Sequence, residues 1–178
     1  MKVFIDCGSN EGAQLLKFKE SSFYDNTFFM YAFEPNPLLA ANLKKMGIAY
    51  VFQAAVWTAD GAIPFYINNK YNDTSTIYAD KLTGRDGRTS PSIVESIDFS
   101  KWIEETFSHN DTLHVSMDIE GAEYPVLEKM IEQGTLSYIN YLAVEFHQTK
   151  IPSISKERHN NLVAKLNRYI KNFTVEHS

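Results

Sequence analysis

The sequence predicts an α/β fold, a doubly wound and mostly parallel sheet with helices on both faces. Three observations predict it. Short apolar runs alternate with segments of helical apolar spacing along most of the chain. Several of these runs are continuous rather than alternating, as in strands covered on both faces. Four of them close on an acid, namely Asp6, Glu34, Asp118 and Glu145. In open parallel sheets the ligand lies beyond the carboxyl ends of the strands. Isolated buried carboxylates are costly, so such a rim implies ligand or metal partners.

Residues 3–7 form the first predicted strand. Gly8-Ser9-Asn10-Glu11-Gly12 then turns into a helix over about 12–20, with Leu15, Leu16 and Phe18 at helical spacing. Residues 28–33 form the second strand, stopped by Glu34-Pro35-Asn36-Pro37. Pro37 suits a first helical turn, where its missing N–H has no partner, and Gly47 ends that helix. A third apolar strand spans 48–56. Asp60-Gly61 signals a hairpin between 54–57 and 63–67, the latter alternating Ile63, Phe65, Ile67.

The next stretch, 68–92, is polar throughout. A segment this long without periodicity is usually functional or mobile, and it is expected to move when no substrate is present. A short strand at 92–97 precedes a helix at 99–107, capped by Asp98 or Ser100. Residues 113–117 form a strand that runs into Asp118-Ile119-Glu120-Gly121. A helix at 122–133 follows, with Gly134 as its stop. The strand at 139–146 is closed by His147. A last helix at 152–172 and a final strand at 173–177 complete the chain.

A chain of 178 residues predicts one domain, 1–178, able to bury a core without staples. The net charge of −5 argues against a nucleic-acid backbone as main partner. The single cysteine, Cys7, excludes an intramolecular disulfide and fits a reducing compartment. No signal peptide and no run approaching the roughly 20 apolar residues of a membrane span is visible. The expectation is a soluble cytoplasmic protein.

The glycine loop has its glycines four residues apart, so the dinucleotide fingerprint G-x-G-x-x-G fails. Glu11 inside it would repel a pyrophosphate. Glu34, a little over twenty residues on, stands where nucleotide folds keep the acid that binds ribose hydroxyls. Asp118 and Glu120 share an i, i+2 relation, and so do Glu145 and His147. In extended chain each pair points one way. Together they suit a divalent cation or a general base. Capping of the following helix is the competing role for Glu120 and Glu123, and for Glu123 the stronger one. Cys7 reads as a small buried residue. His109, His114, His159 and His177 show no ligand-like spacing.

The segments FIDCGSNEG, YAFEPNP, AAVWTADG, SMDIEGAEYPVLEKM and LAVEFH resemble the FkbM-type S-adenosylmethionine-dependent methyltransferases. The D-I-E-G-A-E motif followed by V-L is the most specific of them. The resemblance implies a Rossmann-like class I fold in which Asp6, Gly8, Ser9, Asn10 and Gly12 surround the methionine end of S-adenosylmethionine. Glu34, with Pro35 beside it, would hold the ribose, and Ala55 would line the adenine. Asp118 and Glu120 would border the methyl-transfer site. Some related small-molecule O-methyltransferases bind a divalent metal at the ends of the fourth and fifth strands. Asp118, Glu145 and His147 occupy comparable places, which makes them a candidate Mg²⁺ set as well as the expected catalytic groups.

The expected activity is O-methylation of a small polar acceptor, a sugar hydroxyl among them. An NAD-dependent oxidoreductase and a non-catalytic cofactor-binding or interaction module are the rivals. A class I fold usually adds an antiparallel seventh strand after the sixth, so either the last edge strand is missing here or one of the predicted strands is in fact two. Cover for the substrate then comes from 68–92 or from a second copy of the chain in a homo-oligomer.

Overall fold

The structure, a computed structural model, describes residues 1–70 and 74–176. Part of the polar stretch and His177 therefore lie outside the described residues. Nine strands and five α-helices follow in the order β1 (Lys2–Cys7), α1 (Ala13–Glu20), β2 (Phe28–Phe33), α2 (Pro37–Met46), β3 (Tyr50–Phe52), β4 (Ala55–Trp57), β5 (Gly61–Phe65), β6 (Ser92–Asp98), α3 (Phe99–Thr106), β7 (Thr112–Met117), α4 (Glu123–Gln133), β8 (Ile139–Glu145), α5 (Lys156–Tyr169) and β9 (Asn172–Glu176). No helix among the described residues is long and apolar enough to cross a membrane.

Six strands form the main sheet in the order β3-β2-β1-β7-β8-β9. Every pairing in it is parallel. Alternation along β1 sorts the core. Val3, Ile5 and Cys7 pack with Ile103, Leu127, Met130, Leu162 and Leu166 of α3, α4 and α5. Phe4 packs instead with Leu15, Phe18 and Leu43 of α1 and α2. Helices thus cover both faces, as predicted for an α/β doubly wound sheet. The chain builds outward from β1 in one direction, then returns to β7 and builds in the other. The carboxyl ends of β1 and β7 are the point where strand order reverses, and ligands of such sheets bind there.

Local chemistry sets the ends of the elements. The Asn36 side chain accepts the Leu38 N–H at 3.0 Å at the start of α2, and Gly47, at φ 66°, ends it. Asp98, not Ser100, caps α3 by accepting the Lys101 N–H at 3.3 Å. Ser155 caps α5 by accepting the Arg158 N–H, so this helix starts three or four residues later than its apolar pattern predicts.

Two predicted elements differ. The single strand expected at 48–56 is two strands, β3 in the main sheet and β4 in a separate sheet ordered β4-β6-β5. The Asp60-Gly61 turn joins β4 to β5, but these do not pair with each other. β6 lies between them, parallel to β4 and antiparallel to β5. The turn is tied instead to the start of α3, with Asp60 accepting the Asp98 N–H at 3.0 Å and pairing with Lys101 at 2.8 Å. At the other edge β9 is parallel to β8. Among the described residues no antiparallel strand joins the main sheet.

The polar stretch is hydrogen-bonded to itself and to the body. Tyr66 and Thr76 form an antiparallel bridge, as do Asn68 and Arg88. The Arg88 guanidinium donates to the carbonyls of Ala79, Lys81 and Thr83. Leu82 N–H reaches the Lys150 carbonyl at 2.8 Å.

Candidate active site

At the end of β1 the chain makes a turn that only small or strained residues allow. Gly8 (φ 83°) and Ser9 both donate backbone N–H groups to the Phe33 carbonyl at 3.0 Å. A Cβ on Gly8 would overlap the Asp118 carbonyl oxygen. Glycine is therefore the residue that lets the β1 loop meet the β7 loop. Asn10 sits at φ 47°, and its N–H donates to Glu34 Oε2 at 2.9 Å. The Asn36 N–H donates to Glu34 Oε1 at 2.8 Å. Glu34 is thus held by two backbone donors while each oxygen keeps a second lone pair. Burial raises its pKa to about 7, partly offset by those two hydrogen bonds. Asp6 is buried, and burial carries its carboxyl to about 7 against the hydrogen bond from Ser9. Its Oδ2, like Asn10 Oδ1, has no hydrogen-bond partner.

A second cluster lies at the ends of β7 and β8, around the fully buried ring of His147. Its Nδ1 meets Glu123 at 3.0 Å. Its Nε2 faces Glu120 at 3.1 Å, Glu145 at 3.4 Å and Asp118 at 3.6 Å. Burial pushes the His147 pKa down, but Glu123, Glu120 and Asp118 together outweigh it, and the net shift is upward. Asp118 rises to about 8, chiefly through burial, with His147 opposing and the neighbouring acids reinforcing. Burial also raises Glu120, against His147 and Lys81. Lys81, from the polar stretch, ion-pairs with Glu120 and donates to the Thr74 carbonyl at 3.1 Å. Glu120 itself stands at φ 55°, a conformation that costs on the order of 1 kcal/mol or more for a residue with a side chain.

Glu123 was expected to cap the following helix, but no side chain caps α4. The two Glu123 oxygens take the N–H groups of Ile119 and Gly121 at 3.0 and 2.9 Å, fixing the loop before α4. Asp118, Glu123 and His147 bring ligand atoms within 4.8 Å of one another. The expected metal set had Glu145 in the place of Glu123. Glu145 reaches the same ring nitrogen of His147, and it also pairs with Lys150 at 3.5 Å.

A cleft joins the two clusters. Gly8, Asn10, Glu34, Pro35, Ala55, Asp118 and Glu120, all expected from the sequence, line it. Asp6 and Ser9 are buried behind it, and Gly12 packs toward Leu43 and Met46 of α2. Glu145 and His147 are not part of the lining. Val56, beside Ala55, lines the cleft too, and Ser75 and Ile77 come from the polar stretch expected to cover the substrate, while Phe33, Phe65, Ile119 and Ala122 were not singled out by the sequence. The apolar alternation through Ile63 and Phe65 was a signal for Phe65. Nothing in the pattern around Ser75, Ile77 or Lys81 marked them.

The model of the methyltransferase FkbM domain matches residues 6–174. The chain belongs to the FkbM methyltransferase family. The match runs from the acid that ends β1 into β9, so it spans both clusters and the cleft between them. Searches among curated proteins and among solved structures found no match. For this FkbM domain, a methyltransferase fold is in place, and of its strand-end acids Glu34 and Asp118 line the cleft.

Proposed function

We propose that the chain transfers the methyl group of S-adenosylmethionine to a hydroxyl of a small, polar, uncharged acceptor, with sugars as the class that fits. One observation carries the reading. Among the described residues, Asp6 Oδ2, Asn10 Oδ1 and Asp118 Oδ1, at the β1 and β7 ends, are buried oxygens without a hydrogen-bond partner, and the ring nitrogen His147 Nε2 beside Asp118 is unpartnered too. With the carboxyls ionised, these oxygens suit a ligand end that is cationic and rich in N–H, such as the ammonium and sulfonium of S-adenosylmethionine. A dinucleotide would bring pyrophosphate, itself an anionic acceptor, to the same oxygens. The free lone pairs on Glu34 suit two ribose hydroxyls, and Phe33, Ala55, Val56 and Phe65 offer an apolar wall for a base.

When bound, S-adenosylmethionine supplies an electrophilic methyl carbon. The rest falls to the chain. Asp118 lines the cleft, and its pKa near 8 suits a general base at neutral pH. It takes the hydroxyl proton as the acceptor oxygen attacks. His147 stands behind Asp118, enclosed, and as an imidazolium it offsets the charge of the surrounding acids. Asp118, once ionised, adds negative charge to the cleft wall, which disfavours phosphate and carboxylate acceptors and favours polyols, while Glu120 is paired with Lys81. Asp118, Glu145 and His147 are the residues that would hold a divalent cation, whose role would be to acidify the same hydroxyl. That requires a neutral His147 with Nδ1–H directed at Glu123, a usual support for a ligating imidazole.

Calorimetry with S-adenosylhomocysteine and with NAD tests the cofactor. Binding of NAD alone would sink the proposal. A radiolabelled methyl-transfer screen over sugars, nucleosides, lipids and peptides tests the acceptor, and transfer only to a nitrogen or to a phosphorylated compound would overturn the hydroxyl assignment.

A further inference from the structure

Lys81 is fully buried, which is rare for lysine unless it is paired. It is also the knot of the polar stretch. Its carbonyl accepts from Arg85 Nε and from Arg88 Nη2, both at 3.1 Å, and its ammonium leaves the stretch to meet Glu120. Thr76, five residues earlier, donates its hydroxyl to the Glu120 carbonyl at 2.7 Å. Glu120 is thus gripped at both its side chain and its backbone by the polar stretch. It is also the residue in the strained left-handed conformation. Next to it, Gly121 leaves room for Tyr78. A Cβ there would overlap Ile151 and lie 2.9 Å from the Tyr78 ring. On either side of Thr76 stand Ser75 and Ile77, which line the same cleft as Gly8 and Glu34.

We infer that Lys81 is a positioning residue. Through its ion pair with Glu120 it holds the Asp118–Gly121 turn in its left-handed form and the Ser75–Ile77 wall against the cofactor cleft. A strained residue persists only where its surroundings over-determine it, and here the polar stretch supplies the surroundings. Without the ammonium, Glu120 loses its lysine counter-charge, and the wall is left with the Thr76 hydroxyl as its bond to the loop that carries Asp118. The inference rests on the proposed cofactor reading for its binding arm and on geometry alone for its exchange arm.

The test uses the full chain with Lys81→Met, which keeps the buried stem, then Glu120→Gln and the double variant. The measurements are S-adenosylhomocysteine affinity and amide hydrogen exchange. Each single variant is expected to weaken binding about tenfold or more and to speed exchange within 74–82 and 118–121, leaving β2 and α5 unchanged. The double variant is expected to be no worse than either single one, because the two groups act as one unit. Wild-type affinity and exchange in Lys81→Met would overturn the inference, as would losses in the double variant equal to the product of the single losses. If Lys81→Met does not fold, the isosteric Glu120→Gln gives the same reading. Should the wild type bind no S-adenosylhomocysteine, the cofactor proposal fails, and exchange alone judges Lys81.

Discussion

Glu34 and Glu120 are both acids just past a parallel strand, and they are held in opposite ways. Glu34 takes two backbone N–H groups, from Asn10 and Asn36. Glu120 takes side chains, Lys81 and His147. The same contrast separates the two ends of the cleft. At β1 and β2 the acids are oriented by the chain itself and keep lone pairs free. At β7 and β8 they are oriented by each other's counter-charges, through His147, Lys81 and Lys150. Backbone donors do not titrate, so the first end is a fixed cradle. The acids of both ends titrate near neutral pH, Asp6 and Glu34 at about 7 and Asp118 at about 8, but only at the second end do the groups that orient them, His147 among them, change charge as well.

The largest effects should come from the residues that fix the two ends against each other. Gly8→Ala puts a Cβ into the Asp118 carbonyl at a φ of 83°. The expected cost exceeds about 4 kcal/mol, the range of changes that displace backbone, with S-adenosylhomocysteine binding lost. Near wild-type urea unfolding would show that the two loops part easily. Glu123→Leu comes next. It orphans the N–H groups of Ile119 and Gly121 and the Nδ1 of His147, at an expected cost of about 3–5 kcal/mol. A cost under about 1 kcal/mol would mean that the cluster rearranges freely.

Asp6→Asn should separate stability from binding. In the folded chain Asp6 has a pKa of about 7, raised from 3.8. Between those values the unfolded chain has released the proton and the folded chain still holds it. Stability therefore falls as pH rises through that window and stays low above it. The variant removes this fall but buries an amide without partners, so a net gain of about 1–2 kcal/mol is expected at pH 8. Binding of S-adenosylhomocysteine should weaken, since its ammonium loses a carboxylate. A variant that is both less stable at pH 8 and binds as before would make Asp6 a structural residue only.

How much of this was legible in the sequence follows the range of the interactions. The parallel sheet was readable because each strand is a local apolar run. That Gly8, Asn10 and Glu34 meet in one cleft was readable because they are neighbours in sequence or lie at strand ends, where the fold fixes their place. β6 between β4 and β5 was not readable: the Asp60-Gly61 turn is a local hairpin signal, while the pairing of Ala55 with Ser96 spans the whole polar stretch. Lys81 was invisible for the same reason. Its burial depends on Glu120, far along the chain, and a lysine among polar residues carries no periodic signal. Glu123 stands in the first turn of α4, where acids are locally favoured, but it bonds the preceding loop instead of capping the helix. Its contact with His147 was not foreseen.

The smallest expected effect decides whether the β7–β8 end is also a cation site. Asp118, Glu145 and His147 offer two carboxylates and an imidazole, a donor set that Mn²⁺ and Mg²⁺ accept. Binding must compete with a proton on His147 and with Lys150 on Glu145, so affinity should be modest and higher at pH 8 than at pH 6. A ligand at ten times its Kd stabilises the folded chain by about 1.4 kcal/mol. For a chain of this length that corresponds to a rise in Tm of roughly 3–6 °C. The rise should vanish in His147→Gln, and it should persist in Glu34→Gln, which alters only the backbone-held end. No shift with Mn²⁺ or Mg²⁺ up to about 10 mM, far above the Kd of functional sites for hard cations, would remove the cation from the proposal and leave proton transfer to the carboxylates of the cleft, Asp118 and Glu120.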